Sequence, residues 1–207
     1  MMKTEKPHHH GDLKEALIKA GITLLNEGGL HKLTLRKCAA VAGVSHAAPA
    51  HHFSGLEGLI AAISERGMTL FAQTMQQEIA SVGTDPFEKL YAMCQGYLLF
   101  AIENPALAQL MFNHQSHFGE KKDEGRKANV AFNILISTCA PFKLGTSTNG
   151  SKVKQETNTI AFAVWSLIHG FTQLYQLGQI NKNCDNTPVI NFSDILSTLN
   201  LELIEPV

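Results

Sequence analysis

Apolar residues recur every three or four positions along most of this 207-residue chain, the spacing that gathers them on one face of an α-helix. The first such face runs from Leu13 to Leu24, and the pair Gly28-Gly29 predicts where that helix ends. No stretch alternates apolar and polar residues between hairpin turns, so essentially no sheet is expected. The pattern predicts an all-α fold of about nine helices.

Capping residues and chain breaks place the other helices. Thr34 is a suitable N-cap for a short second helix that ends at Gly43, and Ser45 is a suitable N-cap for a third short helix. Ser54 precedes a long fourth helix that runs towards Ala80. A further helix is predicted from Pro86, with Asp85 as its N-cap. Other helices are predicted from Pro105 and over about residues 126–140, 152–178 and 192–204.

A tight turn joins the second and third of these helices within TLRKCAAVAGVSHAAPAHHF, the stretch from Thr34 to Phe53. Gly43 lies in the turn, and Val44 follows it at the position that fills the angle between the helices. Ala39 and Ala42 are small enough to let the helices approach closely. The arrangement is typical of a helix-turn-helix, whose second helix lies in the major groove of DNA with its first residues at the base edges.

The run from His9 to about Met68 resembles the DNA-binding domain of the TetR (tetracycline-repressor) family. Residue type and spacing agree with the family in HHGDLKEAL, in TLRKCAAVAGVS, in the ending HHF and in the following LEGLIAA. WSLIHG, from Trp165 to Gly170, resembles the Trp-His-Gly signature of one subgroup of these regulators. The resemblance implies a helix-turn-helix DNA-binding domain over residues 9–55 and a helical effector-binding and dimerisation domain over residues 56–207.

A regulator of this family is expected to bind a palindromic DNA operator as a homodimer and to release it when a small-molecule effector binds. The resemblance implies that the last two helices, about 152–178 and 192–204, form a four-helix bundle with their mates in the dimer. The residues expected to meet base edges are His46, Ala47, Ala48 and His51, and those expected to touch the DNA backbone are Thr34, Arg36, Ser45 and His52.

Two positions depart from the family pattern. The family usually has a tyrosine where this chain has Ala50 and a lysine where it has Leu56, and both usual side chains contact phosphate. We therefore predict weaker operator binding than is usual in the family, with a salt slope lower by about 0.9 for the missing lysine, or compensation by the histidines. Ala50 is kept among the positions expected to face DNA.

The middle and last helices carry aromatic and polar residues that suit either a core or an effector cavity. His169 lies four residues after Trp165, and therefore on the same helix face. It is either a core histidine packed beneath the tryptophan, which we prefer, or a polar group in the cavity. The expected ligand is small and mostly apolar or aromatic. The expected cavity lining is Tyr91, Gln95, Tyr97, Phe112, Trp165 and His169.

Charge and cysteine usage narrow the class of protein only a little. The formal net charge is −1, and residues 1–66 carry eight Lys or Arg against six Asp or Glu, together with seven of the ten histidines. Four widely spaced cysteines, the lack of an apolar leader and the shortness of every apolar stretch predict a reduced cytoplasmic protein that does not span a membrane. No cofactor is expected. No metal site is expected either, including at the histidine run His8–His10.

Two other function classes stay open. A small helical enzyme would use His169 or a cysteine, but the GxSxG, P-loop and HExxH motifs are absent and no carboxylate lies within a turn of His169. A helical adaptor with a degenerate helix-turn-helix would account for Ala50 and Leu56. A positive surface around Arg36 and His46 is the observation that separates a DNA-binding protein from such an adaptor.

Overall fold

The computed structural model describes residues 10–113, 130–145, 153–181 and 190–204. Within these ranges the chain forms eight α-helices and two short strands, and the all-α prediction is confirmed. The elements are α1 (His10–Gly28), a 3-10 helix (Leu30–Lys32), α2 (Leu35–Val41), a 3-10 helix (Ala48–His51), α3 (Gly55–Ser81), α4 (Pro86–Glu103), α5 (Pro105–Asn113), α6 (Val130–Cys139), β1 (Phe142–Leu144), α7 (Val153–Gln176), α8 (Phe192–Ser197) and β2 (Leu201–Leu203).

The capping residues act as the sequence predicts. The amide of Lys37 donates to Oγ1 of Thr34 at 3.2 Å, which fixes the start of α2. The amide of Glu88 donates to Oδ1 of Asp85 at 2.9 Å, which fixes the start of α4. Gly43 ends α2 with a φ of 70°, a conformation that glycine adopts without steric cost. Local hydrogen bonding therefore sets these helix ends.

The third short helix differs from the prediction. Residues 46 and 47 form a turn, and a 3-10 helix follows at Ala48–His51. The amide of Ala48 donates to the carbonyl of Ser45 at 3.0 Å, whereas no side chain caps this helix, so the N-cap role predicted for Ser45 is wrong. Pro49 has no N–H for an α-helical ladder, which favours the shorter and tighter form.

The end of the chain also differs from the prediction, which had one helix over residues 192–204. α8 ends at Ser197, Asn200 takes a left-handed φ of 47°, and β2 then pairs antiparallel with β1. This two-stranded ribbon corrects the expectation of essentially no sheet. Each strand has three residues and its partner lies far away in the sequence, so no local alternation of polarity reveals the pairing.

The first compact unit comprises, among the described residues, 10–68 and 104–113. Its helix α1 packs against α2 and α5. A Cβ at Gly21 of α1 would lie 2.5 Å from Cδ1 of Ile63 in α3, so this glycine permits close packing of the two helices. The core around them positions the helix-turn-helix and contains the buried side chains of Leu17, Leu25, Cys38, Leu59 and Leu107.

The second compact unit comprises the described residues 69–103, 130–145, 153–181 and 190–204. Here α4 packs against α6 and α7, and α7 packs against α6, α8 and β1. A Cβ at Gly96 of α4 would lie 2.7 Å from the backbone of Met75 in the last part of α3. The fully buried side chains of this unit include Met93, Phe100, Phe142, Ile160 and Ile168.

The division between the two units falls within α3, after Met68, so this helix begins in one unit and ends in the other. The functional division expected from the sequence, residues 9–55 and 56–207, stays a prediction because compactness does not assign a function. Across the described helices, none is both long enough and apolar enough to cross a membrane.

Candidate functional site

A turn at Gly43 joins α2 to the segment that follows it. The amide of Gly43 donates to the carbonyl of Ala40 at 3.1 Å, and the amide of Val44 donates to the carbonyl of Ala39 at 3.0 Å. These two bonds close the end of α2 and reverse the chain. The following residues are thereby held against α2 as the second element of the helix-turn-helix.

Residues 45–53, here called the recognition segment, are anchored by inward-facing side chains. Pro49 is buried and Phe53 is 7% exposed, while Cys38 on the neighbouring α2 is fully buried. Val44, expected to fill the angle between the helices, is half-buried. Pro49 occupies the inward position, and Ala50 after it is exposed.

The predicted DNA contacts lie mostly on the surface. Ala48 is half-buried, and His52 is half-buried with its ring centroid 6.4 Å from that of Phe53. The hydroxyl of Thr34 already caps α2, so it is engaged within the protein. The exposed members of the set are Thr34, Arg36, Ser45, His46, Ala47, Ala50 and His51.

The helix-turn-helix is free of acidic residues, since no aspartate or glutamate lies between Glu27 and Glu57. Arg36 and Lys37 are exposed, and neither has an ion-pair partner among the described residues. Lys37 was not among the residues expected from the sequence, and the acid-free span is the signal that marks it. The local charge is positive although the whole chain is slightly negative. The basic residues of this span are His31, Lys32, Arg36, Lys37, His46, His51 and His52.

A second candidate site lies in the second unit, where Tyr97 of α4 meets α7. The indole N–H of Trp165 donates to the Tyr97 hydroxyl. That hydroxyl lies 2.8 Å from Nδ1 of His169, and we assign Tyr97 as the donor to this nitrogen. Burial raises the pKa of Tyr97 and lowers the pKa of His169, so both groups are neutral near pH 7. The site therefore offers polar but uncharged contacts.

The same face of α7 continues with two further polar residues. Gln176 donates from Nε2 to the carbonyl of Ala101 in α4 at 2.8 Å. Thr172 is only 2% exposed, and its Oγ1 has no hydrogen-bond partner among the described residues. His169, Thr172 and Gln176 follow at intervals of three and four, which is the signal that would have placed them together. They form a polar row within a mostly apolar core.

The other residues expected to line an effector cavity do not join this row. Tyr91 is 37% exposed on α4, and its hydroxyl accepts a hydrogen bond from Nε2 of Gln95, one turn further on. Phe112 is half-buried and belongs to the first compact unit. Of the six predicted residues, the structure thus brings together Tyr97, Trp165 and His169.

A groove of about 460 Å³ lies on a different face of α7, next to α8 and to residues 179–181 and Ile190. Ser166 and Gln179 are among its few polar side chains. A Cβ at Gly170 would meet no atom of the described residues within 4 Å. The apolar lining includes Leu167, Phe171, Leu174, Ile180, Ile190 and Ile195.

The described cysteines do not supply the nucleophile that an enzyme would need. Cys38, Cys94 and Cys139 are free and buried. Burial raises the pKa of the Cys139 thiol to about 12 and also raises the pKa values of Cys38 and Cys94, so these thiols stay protonated near pH 7. In the part of the chain that the structure describes, no three His, Cys, Asp or Glu side chains are grouped to hold a metal ion.

Two family models match the chain. The model of bacterial regulatory proteins of the tetR family matches residues 17–63, which include α2, the turn at Gly43 and the recognition segment. The model of the tetracyclin repressor-like C-terminal domain matches residues 90–189, which include Tyr97 and His169. The two matches therefore fall on the two candidate sites.

Individual proteins also resemble the chain. It is 29% identical over 84 residues to the HTH-type transcriptional regulator BetI of Yersinia pestis, a match that spans 40% of this chain and only 42% of that relative's length. A protein of unknown function from Rhodococcus sp. RHA1 shares the fold with a TM-score of 0.67 at 22% identity, and 95% of each chain is covered. A TetR family transcription regulator from Marinobacter aquaeolei VT8 has a TM-score of 0.57 at 17% identity, with 92% of this chain and 93% of the other covered.

These findings agree over both parts of the chain. One family model covers the helix-turn-helix, a second model of the same family covers most of the helical remainder, and solved structures share the fold over nearly the whole length. The chain belongs to the TetR family of transcriptional regulators.

Proposed function

We propose that this TetR-family regulator is a repressor that binds a palindromic operator and releases it when a small effector binds. The observation that carries the proposal is the acid-free span between Glu27 and Glu57. It leaves Arg36 and Lys37 exposed, without ion-pair partners among the described residues, beside an exposed recognition segment. Such cations bind DNA by displacing the counterions that surround its phosphates.

The proposed DNA contacts are of two kinds: contacts with phosphates that position the protein, and contacts with base edges that recognise the sequence. Arg36 and Lys37 on α2, with the exposed Ser45, meet phosphates and set the register of the protein on the duplex. His46 and His51, exposed near the two ends of the recognition segment, reach base edges together with the alanines between them. Thr34 and His52 are proposed at the DNA backbone.

The absence of two usual phosphate contacts sets the expected strength of binding. Ala50 is exposed and Leu56 is 38% exposed, so both positions stand where a contact would form. Lys32, Arg36 and Lys37 are the permanent cations of the acid-free span. If each neutralises one phosphate, the logarithm of the binding constant falls with the logarithm of salt concentration with a slope of about −3 per protomer.

We further propose that the effector binds within residues 56–207 and that Tyr97, Trp165 and His169 provide its polar contacts. The Trp-His-Gly run at residues 165–170 supports assignment to the subgroup with that signature. Trp165 and His169 of this signature are hydrogen-bonded to Tyr97. A Cβ on its third member, Gly170, would contact none of the described residues within 4 Å.

The homodimer is proposed to form through the outer face of α7. Phe162, Leu174 and Leu177 are 50%, 49% and 68% exposed. Gly170 lies between them, and a Cβ there would have no described residue within 4 Å. Exposed apolar side chains gathered on one side of a helix are typical of a protein contact. α8 has only six residues, so the helix expected over residues 192–204 is shorter than predicted, and α7 supplies most of the proposed interface.

Effector binding is proposed to act on the spacing of the two helix-turn-helix motifs in the dimer. Helix α3 begins in the first compact unit and ends in the second, so it connects the two in each protomer. Operator half-sites read from one side of the duplex lie about 34–36 Å apart, and a change in spacing lowers affinity without any change in the contacts themselves. The operator is reached in the cytoplasm, where we propose that the protein works.

The test is an electrophoretic shift of a duplex that carries the upstream intergenic region of the protein's own gene, in the presence of competitor DNA. A saturable shift is expected, and Arg36→Ala and His46→Ala should each weaken it. Lys143→Ala is the matched control. This substitution also removes one positive charge from the chain, but Lys143 lies in the second unit, where it is paired with Glu202.

The adaptor is the second candidate, and the exposed Ala50 and Leu56 are the observations that favour it. An adaptor would show no specific shift at low salt, and the three variants would behave alike. Restoring the usual contacts with Ala50→Tyr and Leu56→Lys then tells the two apart. Specific binding that appears only in this double variant would show a helix-turn-helix that has lost its function.

A further inference from the structure

The middle of the recognition segment carries no side chain that can form a hydrogen bond. Ser45 and His46 stand at its start and His51 and His52 near its end, and only alanines and Pro49 lie between them. In the major groove, base edges are usually told apart by hydrogen bonds. This segment therefore needs another means of discrimination over its central residues.

The structure decides which of the central side chains can reach a base. The amide of Ala50 donates to the carbonyl of Ala47 at 3.2 Å, which closes one turn of the 3-10 helix. Residues three apart share a side of such a helix, so the two methyl groups lie on the same face. Both residues are exposed, whereas Pro49 is buried and Ala48 is half-buried. The outward face is thus a pair of methyl groups.

We propose that Ala47 and Ala50 read the C5-methyl groups of thymine, and that each operator half-site carries thymines opposite these two residues. The proposal rests on the DNA binding proposed above. A methyl group neither donates nor accepts a hydrogen bond, so its favourable partner in the groove is the one apolar group that a base pair presents there. The imidazoles of His46 and His51 flank this apolar face.

The test begins with selection of duplexes from a random pool by the full-length protein. In the selected site each thymine is then replaced by uracil, which removes only the methyl group. At the contacted positions the affinity should fall about fourfold for each methyl lost, the value of one buried carbon. Uracil at other positions of the same duplex should leave the affinity unchanged.

Protein variants connect the methyl effect to the two alanines. Ala47→Gly and Ala50→Gly should each lose the preference for thymine over uracil at the one half-site position that the replaced alanine contacts. At the other position, each variant should keep that preference. Ala61→Gly, at an exposed position of α3 away from the recognition segment, is the matched control and should keep both effects. Ala50→Ser tests the same point without added backbone freedom and should change the preferred base at its position.

Each outcome has a separate meaning. If no duplex is enriched, the proposed DNA binding itself fails. If duplexes are enriched but uracil binds as well as thymine at every position, DNA binding stands and readout by the alanine methyl groups is overturned. The uracil series uses the unchanged protein, so this conclusion does not depend on whether a glycine variant folds.

Discussion

The hydroxyl of Tyr97 on α4 lies 2.8 Å from Nδ1 of His169 on α7, 72 residues later in the chain. Tyr97 is 4% exposed, so this polar link joins two helices inside the core of the second unit. Removing one partner of a buried hydrogen bond is costly, because the group that remains has lost the bond and stays buried away from solvent water. The pair therefore specifies how α4 and α7 align.

Removal of the Tyr97 hydroxyl should destabilise the protein. Tyr97→Phe leaves the Trp165 indole N–H and Nδ1 of His169 without this partner, a cost of about 1–3 kcal/mol in the free energy of unfolding. For a chain of this length the melting temperature falls by about 2–4 °C for each kcal/mol. Tyr91→Phe is the control, since Tyr91 is 37% exposed. Equal melting temperatures for the two variants would contradict the assignment.

His169 should make stability depend on pH. Burial lowers its pKa from the ordinary value of 6.5, so as the pH falls below 6.5 the unfolded chain takes up a proton before the folded chain does. His169 therefore destabilises the folded protein at low pH. This destabilisation disappears as the pH rises above the ordinary pKa of 6.5. His169→Asn keeps an acceptor for Tyr97 but does not titrate.

Urea midpoints at pH 7.5 and pH 5.5 measure this effect. The fall in midpoint between the two pH values should be smaller in His169→Asn than in the unchanged protein. His51→Asn, at an exposed position, should leave the fall as it was. A pH dependence unaffected by His169→Asn would show that other groups cause it.

Replacement of Thr172 by the isosteric valine should stabilise the protein. Its Oγ1 is buried without a hydrogen-bond partner among the described residues, and such a group costs about 1–3 kcal/mol. Thr172→Val removes that cost and keeps the shape, so the melting temperature should rise. Thr157→Val is the matched control, because Thr157 is also buried but does have an interaction partner. It should lower the melting temperature, and a fall in both variants would refute the prediction.

The proposed dimer makes the oligomeric state sensitive to one face of α7. Leu174→Glu places a charge on that face in both copies, and sedimentation equilibrium should then give the mass of a monomer. Leu174 is 49% exposed in the protomer, so the glutamate can reach water and the fold should persist. Leu99→Glu changes a residue of similar exposure, 38%, on α4 and should leave the dimer intact. A dimer in both variants would place the interface elsewhere.

The helix-turn-helix shows how far local sequence can predict structure. Thr34, Asp85 and Gly43 act on backbone groups within a few residues of themselves, and the structure confirms these helix ends. Ser45 looked equally suitable as a cap, yet Pro49 changes the hydrogen-bonding pattern of the turn that follows. The family resemblance placed Ala47, Ala48 and Ala50 among the positions expected to face DNA, but the exposed pair Ala47 and Ala50 emerges only from the 3-10 geometry.

The sequence alone determined the all-α class, the position of the helix-turn-helix and its positive charge, because each depends on residue spacing, caps and composition. Tertiary structure decided what distant residues do together. It joined Tyr97 to His169, left the hydroxyl of Thr172 without a hydrogen-bond partner in the described part of the chain, and paired Leu144 with Leu201 in a ribbon. The physical reason is that hydrogen bonds and burial depend on distances in space, and separation along the chain does not specify those distances until the helices have packed.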